Sequence, residues 1–134
     1  MGLADDVAEM AAGRRPLPAF DRHMGFRLAG RDADGVVLEA DIGEASANAT
    51  GAVHGGLVAG LADSAMGLTV SGMLAAGTTC TNVDLHLRFL RPPGRGTLRA
   101  YARVLRWGRN VVSMECDVED GQGRLVARAA STFL

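Results

Sequence analysis

The 134-residue chain has no lysine: all 14 basic residues are arginine, set against 15 acidic ones, for a formal net charge of -1. With a pI near 6.3 and only 4% aromatic residues, it lacks the basic excess and the stacking side chains of a nucleic-acid binder. Two cysteines, Cys80 and Cys116, are too few for a disulfide framework, and no Cys–His group has zinc-site spacing. Both are expected to be reduced core thiols, and no metal is expected. The N-terminus, MGLADDVAEMAAGRRP, opens with acids and has no continuous apolar core after a basic start. That is unlike a secretory signal and makes the cytoplasm the expected compartment.

What is present points to one folded, soluble domain over residues 1–134, with residues 1–20 as a helical extension. The composition is 48% hydrophobic and 22% charged, and a chain of this length can bury a single core. Leu3, Val7, Met10 and Ala11 recur at helical spacing, and GRRPLP then closes that element. Phe26–Leu28 and Val36–Ile42 read as extended, joined by the turn cluster DADG. Val36, Leu38, Ala40 and Ile42 share one face of the second segment, opposite Val37, Glu39 and Asp41.

Residues 55–76 form the longest apolar stretch, about 22 residues with Asp63 as the single charge. A membrane span would place Asp63 near the bilayer centre at about 2.5–3.5 kcal/mol, and five glycines weaken that reading further. A buried helix suits the stretch better. Its interior Gly60, Gly67 and Gly72 each cost about 1 kcal/mol relative to alanine, so it needs sheet packed around it. Period-two alternation follows: Val83 to Phe89, Leu98 to Val104, Val112 to Val118 and Leu125 to Phe133 read as four antiparallel strands. The expected architecture is α+β, an antiparallel sheet curled around a long central helix, which is a hotdog fold. One sheet cannot cover all sides of such a helix, so an obligate homodimer is expected, with a dimer of dimers left open.

Two features bear on chemistry. Gly55 and Gly56 fall in the first turn of the central helix, where N–H groups lack intrahelical partners and the dipole favours developing negative charge. They either form a site for an oxyanion or simply make a tight loop-to-helix junction. Asp63, alone on an apolar helix, is costly to desolvate without partners; desolvation would raise its pKa toward that of a useful general base. Residues 88–109 also hold seven arginines and no acid. Those arginines are either a solvated strand face or a surface for a phosphate-bearing ligand.

Asn48, Gly51, the triplet His54-Gly55-Gly56 and Asp63 within the helix, in this element order, resemble the PaaI-like hotdog thioesterases, which act on phenylacetyl-CoA and related acyl-CoA esters. TNVDLHLRFLRPPGRGTL, WGRN and DGQGRLVARA extend the resemblance over nearly the whole chain. It implies hydrolysis of an acyl-CoA thioester of phenylacetyl, aryl or medium-chain type, with CoA as part of the substrate and no separate cofactor. Asp63 would act as general base or nucleophile and the Gly55 N–H as oxyanion donor. Asn48 would hold water or substrate, and His54 would brace the oxyanion region. An Asx-turn and a helix-entry hydrogen bond are the structural alternatives for these last two. Where relatives often carry serine or threonine at the start of the next strand, this chain has Asn82 beside Thr81, leaving the polar helper open. Arg88, Arg91, Arg109 and Asn110 are the candidates for the nucleotide end of CoA. His23 and His86 match no catalytic position.

Gly55 and Asp63 are eight residues apart, roughly 12 Å along a helix, so one helix cannot bring both to one carbonyl. Two antiparallel copies can, and the resemblance implies the same shared site. A hotdog dehydratase or hydratase, or an acyl-CoA-binding domain without turnover, are the competing functions.

Overall fold

Alternating apolar residues place one face of each central strand on a single long helix, and a computed structural model, describing residues 2–134, shows how they meet. The elements run α1 (Leu3–Ala11), α2 (Ala19–His23), β1 (Arg27–Arg31), β2 (Val36–Asp41), a 3-10 turn (Glu44–Ser46), α3 (Gly55–Ser71), β3 (Asn82–Phe89), β4 (Thr97–Trp107), β5 (Val112–Glu119) and β6 (Leu125–Phe133). All strand pairs are antiparallel, in the order β1-β2-β4-β5-β6-β3. The sheet curls around α3, which packs on β2, β4, β5 and β6, and this is the expected hotdog architecture. Leu57, Leu61, Ala62, Ala65 and Met66 of α3 are buried with Leu38, Leu98, Ala100, Met114, Cys116 and Ala129 of the sheet. Thr69 ties helix to sheet: its Oγ1 donates to the Ala65 carbonyl at 2.7 Å and accepts from the Val36 N–H at 2.9 Å.

The expected strand faces are observed at β2, β4, β5 and β6. At β3 they are not, since Val83, Leu85 and Phe89 are exposed rather than half-buried. The reason is position. β3 is the last strand of the sheet, paired with β6 alone among the described residues, and α3 lies mainly over the strands on its other side.

The central helix is also shorter than its apolar run. It ends at Ser71, and Gly72 caps it instead of lying inside it, with its N–H on the Leu68 carbonyl. The Arg31 side chain donates to the Gly72 carbonyl at 3.0 Å, satisfying one of the carbonyls that a helix end leaves open. A Cβ at residue 72 would stand 3.1 Å from both Val7 and Arg31, so the small residue there permits close approach of α1 and β1.

A second helix, α2, follows GRRPLP where none was expected. The rings of Phe20 and Phe26 meet edge-to-face at 6.2 Å and lie 3.6–3.7 Å from where a Cβ of Gly60 would be. Tertiary contact, more than local propensity, sustains so short a helix. The arginine-rich stretch proves partly neutralised across the sheet. Arg99 pairs with Glu39, and Arg103 with Glu115 and Asp117, while Arg27 and Arg128 join the same network of ion pairs. Among the described residues, no helix is long and apolar enough to cross a membrane.

Candidate active site

The loop before α3 is built from its own polar groups. Asn48 Oδ1 accepts from the Thr50 N–H at 2.9 Å, the Thr50 hydroxyl at 2.7 Å and the Ala52 N–H at 3.1 Å. This is the Asx-type arrangement, and it occupies the Asn48 carbonyl oxygen with loop structure. Gly51, at φ +83°, makes the turn that L-residues rarely adopt. The His54 N–H then donates to the Ser46 carbonyl at 2.7 Å, and the chain enters α3.

His54 is the N-cap. Its Nδ1 accepts from the Gly56 N–H at 2.8 Å, so the proton of the neutral ring sits on Nε2. The Leu57 N–H is taken by the His54 carbonyl. The Gly55 N–H, in the first turn, has no partner among the described residues. Gly55 lines a groove of about 480 Å³ whose walls include Val53, Val58, Phe89, Arg91 and Pro93. Phe89 closes over Gly55: its ring stands 3.0 Å from where a Cβ would be. The alternation pattern assigned Phe89 to the core and gave no sign of this role.

Asp63 lies two turns along α3, half-buried. Its Oδ1 accepts from Asn82 Nδ2 at 2.9 Å, across from the first residue of β3. Desolvation holds the Asp63 carboxyl above the usual carboxylate range, and the nearby Asp21 adds to that. Asn82 is therefore the polar neighbour that the sequence left open. Asp21, from the unanticipated α2, is the other neighbour, and no spacing rule pointed to it.

The remaining candidates lie apart from one another. Arg91 shares the Gly55 groove. Arg109 and Asn110 line a hollow of about 610 Å³ beyond the C-terminal end of α3, with Trp107 and Cys80. Arg88 sits beside His86, Glu115 and Arg128 in a third hollow of about 280 Å³. Arg88, Arg91 and Arg109 make no ion pair among the described residues.

Within one chain, then, the groove-lining Gly55, with its unpartnered N–H among the described residues, opens α3, and an Asn-held carboxylate stands roughly 12 Å further along the axis. Comparison with known proteins agrees with acyl-transfer chemistry. Residues 50–127 match the Thioesterase superfamily model. A phenylacetic acid degradation-related protein of Ralstonia eutropha JMP134 is 32% identical, with a TM-score of 0.86 covering 96% of this chain and 98% of that one. A Bacillus halodurans protein solved with CoA is 26% identical, with a TM-score of 0.81 over 98% of this chain and 87% of its own. The phenylacetic acid degradation protein PaaI of Thermus thermophilus shares the fold, with a TM-score of 0.77 at 23% identity over 85% and 96% of the two chains. The family match spans more than half of the sequence, and the chain belongs to the Thioesterase superfamily as a thioester-hydrolysing enzyme of the hotdog fold.

Proposed function

We propose that the enzyme hydrolyses an acyl-CoA thioester in a site shared by two copies of the chain. The observation that carries this reading is Asp63: a half-buried carboxylate on an apolar helix, oriented by Asn82 and made more basic by desolvation. As general base, Asp63 takes a proton from water as the water oxygen bonds to the thioester carbonyl carbon. The Gly55 N–H of the other copy receives the oxyanion, aided by the dipole of its helix. Collapse of the tetrahedral intermediate breaks the C–S bond, and the leaving thiolate of CoA takes up the proton. In the nucleophilic variant Asp63 attacks the carbonyl itself and water then cleaves the mixed anhydride. Oxygen-18 from labelled water enters Asp63 in a single turnover only by that second route.

Several features support two copies. The exposed Val83, Leu85 and Phe89 lie on an edge strand, and a Cβ at Gly67, one turn beyond Asp63, would meet nothing within 4 Å. Sedimentation at micromolar concentration distinguishes dimer from dimer of dimers, and a monomer overturns the shared site. An aryl acyl group, phenylacetyl above all, is favoured by the 32% identical Ralstonia protein. Arg91, which lines the groove of Gly55, is the contact we propose for the CoA end of the substrate, and Arg88, Arg109 and Asn110, in separate hollows, are candidates for it only in the assembled protein.

Complementation tests the arrangement. Gly55→Pro removes the N–H while proline remains acceptable at the first helical position, after a His54 already at ψ 130°. Asp63→Asn removes the base, and alone costs on the order of 100- to 10,000-fold in kcat. Mixed and re-annealed, the two inactive proteins recover about one good site per heterodimer. No recovery overturns the shared site, and an Asp63→Asn enzyme with undiminished kcat overturns the role of Asp63.

A further inference from the structure

One buried carboxyl group has no role in the reaction as written above. Asp21 is only 4% exposed, and its Oδ1 is the buried side-chain atom left without any hydrogen-bond partner among the described residues. An unsatisfied buried carboxylate is expensive, and folded proteins seldom keep one without a use.

Its place in the fold suggests the use. Asp21 lies on α2 between Phe20 and Phe26, the two rings that seat α2 on Gly60 of α3. Gly60 and Asp63 are three residues apart, hence neighbours on one face of the helix. The backbone fixes the position as well, because the Phe26 N–H donates to the Asp21 carbonyl at 2.8 Å and closes the turn after α2. We propose that Asp21 is a positioning residue for hydrolysis, a second carboxyl group that α2 buries against the face of α3 that carries Asp63 and that is coupled to Asp63 through space. The proposal rests on Asp63 being the base.

The other groups around α3 do not compete for this role. Asn82, on β3, is neutral and bonded to Asp63, and Asp84 on the same strand accepts from the Thr132 N–H. On α2, Arg22 donates to the Leu17 carbonyl and His23 is exposed. Asp6 of α1 pairs with Arg15, and Arg31 of β1 binds the far end of α3 at the Gly72 carbonyl. Glu39, Arg99, Arg103, Glu115, Asp117 and Arg128 of β2, β4, β5 and β6 pair with one another on the sheet, while the residues these strands bury with α3 are mainly apolar. Like charges disfavour ionisation of one another, and Asp21 adds in this sense to the desolvation that already raises the Asp63 carboxyl.

The test compares wild type, Asp21→Asn and Asp63→Asn. kcat/KM is followed against pH with the acyl-CoA that wild type turns over fastest, and the Asp63 side-chain carboxyl is titrated by carbon-13 NMR in the full chain. Asp21→Asn should stay folded, and Asp21→Ser serves if it does not. With the like charge removed, the Asp63 titration and the acidic limb of the rate profile both move to lower pH, so the ratio of activity at pH 5 to that at pH 8 rises several-fold. An Asp63 titration that does not move overturns the inference, whatever happens to the rate; a uniform loss of activity with an unmoved limb assigns Asp21 a purely structural role. Asp63→Asn tests the underlying reading separately. If it stays active, Asp63 is not the base, and the NMR titration still decides whether Asp21 acts on it.

Discussion

The ring of Phe89 stands 3.0 Å from the point where residue 55 would carry a Cβ, so Gly55 is packed beneath an aromatic that is itself 58% exposed. A methyl group there meets the edge of a ring that can give way by a few tenths of an ångström, and not a fixed backbone atom. Gly55→Ala should therefore fold, with stability within about 1 kcal/mol of wild type, since alanine is also the better helix former. The cost falls on the groove. kcat/KM for an aryl-CoA should drop by up to about tenfold through displacement of Phe89. Thermal melting together with steady-state kinetics checks both halves, and a large loss of stability would show that Phe89 is not free to move.

Asn82 and Asp63 make the complementary test. Asn82→Asp keeps the shape but sets a second carboxylate where an amide now donates at 2.9 Å. Repulsion then disfavours the ionised Asp63, whose carboxyl already lies above the ordinary range from desolvation and from Asp21. A base works only when deprotonated, so the acidic limb of kcat/KM should move to higher pH. A pH–rate profile reads the direction, and a limb moving to lower pH would exclude Asp63 as the group titrating there.

His54 should matter to stability first. Its Nδ1 caps the Gly56 N–H, and losing such a cap costs about 1 kcal/mol, roughly 4 °C in Tm for a chain of this size. His54→Ala should show that loss, and His54→Ser, whose hydroxyl can accept the same N–H, should recover most of it. If Tm is unchanged in His54→Ala, the cap contributes nothing.

The fold was largely legible because its main signals are local. Alternation marked β2, β4, β5 and β6, and a nearly uncharged run marked α3. What local pattern could not show was where the sheet ends. Val83, Leu85 and Phe89 alternate like core residues, but topology puts their strand at the rim. The apolar run likewise continued past the helix, whose stop depends on Arg31 and Val7 meeting Gly72 from distant elements. At the site, Gly55 and Asp63 stood out as departures from their surroundings. Asn82 stood out only by lying where relatives often carry serine or threonine. Asp21 did not stand out at all, because its significance comes from Phe20 of α2 packing on Gly60, a contact across 40 positions of sequence.

The rim strand β3 has a consequence for how the protein must be made. Each newly folded copy presents a row of unsatisfied backbone groups flanked by Val83, Leu85 and Phe89, a template open to any extended segment nearby. Correct assembly is therefore in a race with off-pathway strand addition. Asp84, His86 and Arg88, interleaved along the same strand, act as gatekeepers that make mispairing with apolar segments costly. Refolding yield should accordingly be limited by what each chain meets first.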